Sequence, residues 1–135
     1  MQALRLYAGP LARRHLQRHG LRPQDVGAIP AAAGGPKGLI LGPLDRFIFG
    51  HWLAQSAQPV HLVGASIGAW RMATACLDDP ASALLELQRA YIAQHFDLPP
   101  GQKRATPDQI SAQFAGNLRR FYGGRVETVL NHPRY

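Results

Sequence analysis

The sequence predicts an α/β fold in which a parallel sheet is flanked by helices, and three observations predict it. Two short apolar segments, residues 26–33 and 59–63, each run into a glycine-rich turn. Each turn is followed by apolar residues at helical spacing, the strand-turn-helix order that builds parallel sheets. The length, 135 residues, suits one domain, so residues 1–135 are read as a single unit.

Ala3, Leu4, Arg5, Leu6 and Tyr7 have the alternation of a short strand ahead of the turn at Gly9-Pro10. Residues 10–19 then make a short basic helix with a thin apolar stripe, closed by Gly20. Residues 26–33 are uncharged and read as a buried strand leading into Gly34-Gly35, although Pro30 is unusual inside a sheet. Ile40, Leu44, Phe47, Ile48 and Trp52 recur at helical spacing, and Pro43 marks either a kink or the helix's first turn.

Residues 59–63, bounded by Pro59 and Gly64, read as a second buried strand. A helix follows over residues 67–77 and stops at Asp78-Asp79-Pro80, where Asp79 can cap and Pro80 can open a helix carrying Leu84, Leu87 and Tyr91. After the break at Pro99-Pro100-Gly101, Thr106 to Gln109 form a capping box. The helix it starts aligns Ile110, Phe114, Leu118 and Phe121 on one face with Arg119 and Arg120 beside it. Packing on its own domain is the plainer expectation for that face; lying on a lipid surface is the alternative.

Composition narrows the function classes. Hydrophobic residues are 46% and charged residues 17%, with 14 Gly and 11 Pro, which describes a turn-rich globular chain and excludes coiled coil, collagen and a disordered tail. The single cysteine, Cys76, supplies neither a disulfide nor a zinc site, so a reducing cytoplasmic setting fits and no metal or other cofactor is expected. The longest stretch without a formal charge, residues 47–70, is interrupted by Gly50, Gln55, Ser56, Gln58 and Pro59 and does not read as a membrane span. Any membrane contact would be peripheral.

The net charge of +7 raises nucleic acid or an anionic membrane as partners. Five arginines and no acid occupy the first 24 residues. That composition is shared with transit peptides, but the segment lacks their serine content and is read as a solvated basic face of the mature protein. Elsewhere the charges are mixed, and no RNP-like, helix-turn-helix or zinc-finger pattern occurs, so nucleic acid is not expected.

The chemistry concentrates at two turns. A serine hydroxyl becomes a useful nucleophile when it is held exposed beside a base and beside oxyanion donors. Gly64-Ala65-Ser66-Ile67-Gly68 has the Gly-x-Ser-x-Gly form of a nucleophile elbow, in which the turn strains the serine and the glycines let neighbouring backbones pass. A glycine-rich turn with an incidental serine is the plainer alternative. Upstream, Gly34-Gly35-Pro36-Lys37-Gly38 sits at the other strand-to-helix junction and is a candidate oxyanion loop. Pro36 has no N–H, which leaves the amides of Gly34, Gly35, Lys37 and Gly38. A purely structural turn is one alternative; a phosphate-binding loop is the other, and there the Ser/Thr required after the lysine is replaced by Gly38.

Together the two motifs resemble the patatin-like phospholipase family. Gly35, Lys37 and Gly38 match its glycine-rich oxyanion loop, with Ala33 in place of the first glycine, and Gly64, Ser66 and Gly68 match its elbow in full. The resemblance spans roughly residues 26–77. It implies a parallel-sheet core between helices, a Ser–Asp dyad without catalytic histidine, and lipid acyl esters as substrates. Ser66 would attack the carbonyl, the Gly35 loop would hold the oxyanion, and water would release the acyl-enzyme.

The family's distal Asp lies in an Asp-Gly motif, and no Asp here is followed by Gly. The chain therefore looks like an amino-terminal portion of such a domain. A truncated gene, a second chain bringing the acid, or a degenerate pseudoenzyme would each explain this. His61, His95 and His132 are candidate substitute bases. A Ser-His-Asp α/β-hydrolase and a non-catalytic basic binding module stand as alternatives. So small a sheet would have bare edges, which predicts self-association or marginal stability for the chain alone.

Overall fold

A computed structural model describes residues 5–135 as a mixed α/β structure with a two-stranded parallel sheet. The first helix, α1 (Pro10–His19), starts with proline where no intrahelical N–H is needed and ends at Gly20, whose φ of 70° suits glycine. Strand β1 (Ala28–Ala31) pairs in parallel with β2 (His61–Gly64), in the register Ala28 to His61 and Ala31 to Gly64. Residues 35–55 of the crossover between them are helical but irregular. A 3₁₀ segment, Gly35–Leu41, passes into α2 (Gly42–Phe47), a wide π-type turn at Ile48–Trp52 and a final 3₁₀ turn at Leu53–Gln55.

The second half is α-helical. Helix α3 (Ile67–Ala75) leaves β2 through Ser66, and α4 (Pro80–Ile92) is capped by the Asp79 carboxylate, which accepts the Ser82 amide at 3.1 Å. Helix α5 (Pro107–Tyr122) carries the expected reciprocal box: Gln109 N–H donates to Thr106 Oγ1, and Thr106 N–H donates to Gln109 Oε1. Helix α6 (Val126–Leu130), a short uncapped turn, was not anticipated from the sequence.

Two apolar clusters hold these elements. One unites Ala31, Phe49, Leu53, Met72, Ala75 and Leu84, joining the sheet, the crossover, α3 and α4. The other, Leu77, Ala83, Leu87 and Phe121, fastens α5 to α4. Between α3 and α5 the fully buried Thr74 hydroxyl and the Tyr122 hydroxyl lie 2.8 Å apart, and both donate to the Trp70 carbonyl. Burial pushes the Tyr122 phenol up.

Three sequence expectations need correction. Residues 5–7 are not a strand, since among the described residues the one sheet pairs β1 with β2 alone; Ala3 and Leu4 lie outside the described residues. The two strands form as expected but are not buried: only Ala31 is inside, and Val63 is 62% exposed. Parallel strands are buried when helices cover both faces, and here one face of the pair is open. Finally, of the expected apolar set Ile40, Leu44 and Phe47 face solvent while Ile48 and Trp52 pack against the core, and Leu39, Asp45, Phe49 and Leu53 also face inward. Pro43 does stand in the first turn of α2.

The carboxyl-terminal residues form a hook at the amino end of β2. The Arg134 carbonyl accepts the Val60 amide at 3.0 Å, and its guanidinium donates to the Leu53 and Gln58 carbonyls. His132 Nδ1 accepts the Arg134 and Tyr135 amides, and its ring stacks on Tyr135 at 4.6 Å. Burial, then the neighbouring Arg134 charge, hold the His132 pKa below the usual 6.5, with Asp78 opposing. Protonation converts that acceptor into a donor. The hook's contribution to stability should therefore be complete above pH ~6.5 and decline as pH falls through the unfolded and then the folded pKa. Denaturant titrations across this range should show a decline in the parent chain that His132→Asn removes; equal decline in both would refute the assignment.

Candidate active site

The two glycine-rich turns emerge side by side, because β1 and β2 are parallel neighbours and both turns follow carboxyl ends in register. The ladder continues one step beyond the strands, with the Ala65 amide donating to the Ala31 carbonyl at 3.1 Å. Open α/β sheets bind ligands beyond the carboxyl ends of their parallel strands.

Ser66 stands exposed between β2 and α3 with φ 54° and ψ −127°. It is the one non-glycine residue with positive φ among the described residues. A side chain held there carries strain of about 1–3 kcal/mol, which the surroundings must impose. They do so by close approach. A Cβ on Gly68 would stand 2.2 Å from the Ala31 carbonyl oxygen, and one on Gly64 would stand 2.5 Å from the Ala69 backbone. Both glycines are thus required by contact, and the chain between them is forced into a tight reversal.

The other turn abuts the elbow directly, since a Cβ on Gly38 would meet the Ile67 side chain at 2.8 Å. Gly35 adopts φ 52°, which only glycine takes without strain. The Lys37 amide donates to the Gly34 carbonyl at 3.2 Å, and Gly38 lies inside the 3₁₀ segment, where each amide turns back on a carbonyl three residues earlier. Gly34 and Gly35 stand at the start of that segment, where the amides have no carbonyl of the same segment to turn back on. The oxyanion candidates thereby narrow from four to these two.

No family model, curated protein or solved structure matches this chain.

The candidate bases are not brought to the serine. His61 is the first residue of β2, roughly 15 Å along the strand from Ser66 at ~3.3 Å per residue. His132 belongs to the hook at that same far end. His95 is exposed after α4, with its Nε2 3.5 Å from Asp97. Among the described residues no side chain hydrogen-bonds the Ser66 hydroxyl, and no cluster of His, Cys, Asp or Glu suited to a metal forms. Cys76 is buried, and desolvation pushes its thiol up, away from the reactive thiolate.

One residue pair that sequence reasoning did not single out organises the site. Asp45 on α2 and Arg71 on α3 form a buried two-point ion pair, Nε to Oδ2 at 2.6 Å and Nη2 to Oδ1 at 2.7 Å. Arg71 is little more than one turn beyond Ser66, and Asp45 lies just past the glycine-rich segment. The pair therefore braces α2, which continues the glycine-rich segment, against α3, which follows Ser66. Its signal in the sequence was Asp45 itself, the one acid between Asp25 and Asp78.

A groove of about 780 Å³ opens beside the glycine turn, lined by Pro36, Ile40, Ile92, Phe96, Ile110 and Phe114 among others. Its size lies within the range of small-molecule sites, and its walls are mainly apolar. Among the described residues no helix is long and apolar enough to cross a membrane.

Proposed function

We propose that the chain is a patatin-like serine acyl-ester hydrolase module acting on lipid esters, with Ser66 as nucleophile and the Gly34 and Gly35 amides as oxyanion donors. The observation that carries this reading is the strained, exposed Ser66 backbone, φ 54° and ψ −127°, in a turn against which the glycine-rich segment packs at Gly38. A structural turn has no use for a side chain at such a dihedral, and glycine would be cheaper there. The apolar groove that Pro36, the residue after Gly35, helps to line supports a fatty-acyl chain as part of the substrate.

In this mechanism Ser66 Oγ attacks the ester carbonyl and the carbonyl oxygen takes on negative charge facing the glycine turn. The alcohol leaves, and water then cleaves the acyl-enzyme. The serine proton needs an acceptor, which the family resemblance assigns to an Asp. Asp45 is committed to Arg71, so that role falls to none of the carboxylates placed at this end of the sheet. A Ser-His-Asp triad is the weaker reading, because His61 and His132 lie at the sheet's opposite end. Without an acceptor, ester turnover should be about 10²–10⁴-fold below that of a complete site.

Labelling by a fluorophosphonate probe tests the proposal. The parent chain should be labelled, Ser66→Ala should not, and both should melt alike. Ser66→Gly should also lose labelling while gaining about 1 kcal/mol of stability by relieving the positive φ. A folded parent chain that takes no probe, or that labels equally after Ser66→Ala, would remove the nucleophile assignment.

A further inference from the structure

Helix α1 is the least integrated element of the fold. None of its residues is buried, and no residue from 5 to 25 belongs to either apolar cluster. Its polar contacts run to the segment that follows it: His15 Nε2 lies 3.0 Å from Asp25 Oδ1, and Arg22 donates to the His19 carbonyl. Ordinarily a helix is stabilised by packing an apolar face on a core, so a helix with no buried residue and no place in either cluster among the described residues leaves its faces for something else.

Those faces are chemically distinct. At about 100° per residue, Arg13, Arg14, Gln17 and Arg18 share one arc, and Leu11, Ala12 and Leu16 lie on the other with His15 and His19. The arginine arc is bordered by exposed apolar side chains. Leu11, 75% exposed, adjoins it on the helix, and Leu6 and Tyr7, the latter 88% exposed, line a hollow with Arg13 and Leu16. Arg5 and Arg22 extend the positive charge, and no acid occurs before Asp25. Five of the arginines behind a net charge of +7 thus sit in this one segment, and the remainder of the chain is close to balanced.

We propose that residues 5–22 are an interfacial anchor that docks the protein on an anionic lipid bilayer. Arg13, Arg14 and Arg18 would pair with lipid phosphates, and Leu6, Tyr7 and Leu11 would enter the headgroup boundary beside them. Charge complementarity selects an anionic surface, and the apolar border selects lipid over nucleic acid. A nucleic-acid backbone can use the guanidinium groups, but it offers no favourable environment to exposed Leu6 and Leu11. Arginine also suits phosphate better than lysine does, because its planar fork donates two parallel hydrogen bonds. The assignment does not depend on Ser66 being a nucleophile.

Flotation of the full chain with vesicles tests it. Vesicles of phosphatidylcholine containing about one-third phosphatidylserine should carry the protein, pure phosphatidylcholine vesicles should not, and raised salt should release it. Arg13→Gln, Arg14→Gln and Arg18→Gln combined should weaken partitioning about a hundredfold. Tyr7→Ser with Leu11→Ser should weaken it about tenfold. All these residues are exposed, so the variants should melt with the parent, and Ser66→Ala should float unchanged. Failure of the parent to float with anionic vesicles would overturn the anchor, as would full flotation of the triple variant. Binding that the Tyr7 and Leu11 changes leave intact and that duplex DNA competes away would overturn the lipid assignment.

Discussion

Gly68→Ala is expected to destabilise the protein by about 3 kcal/mol or more, at the upper end of what overpacking costs. The added methyl would stand 2.2 Å from the Ala31 carbonyl oxygen and 2.7 Å from that of Ala32, and both obstacles are backbone rather than pliable side chain. Relief requires moving β1 away from the start of α3. Gly64→Ala should behave similarly, since its methyl would meet the Ala69 Cα and N at 2.5 Å. Gly116 supplies the contrast within the same chain. It lies inside α5 with nothing within 4 Å of a built Cβ, so Gly116→Ala should add about 0.5–1 kcal/mol through helix propensity alone. Denaturant melts of the three variants read the difference directly. A Gly68→Ala protein as stable as the parent would mean that strand and helix do not approach as described, and the reason for the Ser66 strain would go with it.

That contrast shows what kind of information a sequence carries. The Gly-x-Ser-x-Gly spacing was legible because the elbow is a local device, built from residues within one turn of each other. So were the Asp79 cap, the Thr106 to Gln109 box and the Gly20 stop, each of which satisfies backbone groups a few residues away. The inner face of the crossover helix is legible only in part, at Ile48 and Trp52, for the opposite reason. Ile40, Leu44 and Phe47 keep helical spacing, yet the inner face is the one containing Asp45, whose charge disqualifies it from any count of apolar periodicity. Only a partner distant in sequence, Arg71, makes that face the buried one. Strand burial was overestimated similarly, since apolar character fixes where a strand can form and the layers around it fix whether it is covered. Which glycine-turn amides turn back into the chain depends on the 3₁₀ geometry after Gly34, which composition does not encode.

Removing one partner of the Asp45–Arg71 pair should cost about 3–5 kcal/mol, because the group left behind is a buried charge without its counter-ion. Asp45→Leu and Arg71→Met are each expected to fall in this range, a large part of the ~5–15 kcal/mol that typically holds a domain together. The double variant, Asp45→Leu with Arg71→Met, should recover most of the loss, since an apolar pair of similar volume pays no desolvation penalty. The double variant also separates two roles for the brace. If the pair served stability alone, the recovered protein would react with a fluorophosphonate at the parent rate. The pair instead links α2, which continues the glycine-rich segment, to the helix that follows Ser66, and apolar contact is far less directional than a two-point ion pair. Misplacement of catalytic groups by about 1 Å can cost on the order of 10²-fold. The double variant should therefore label at least about tenfold more slowly than the parent at equal folded fraction. Unchanged labelling in a restored fold would assign the pair to stability alone and leave the relative placement of turn and serine to the contact between Gly38 and Ile67.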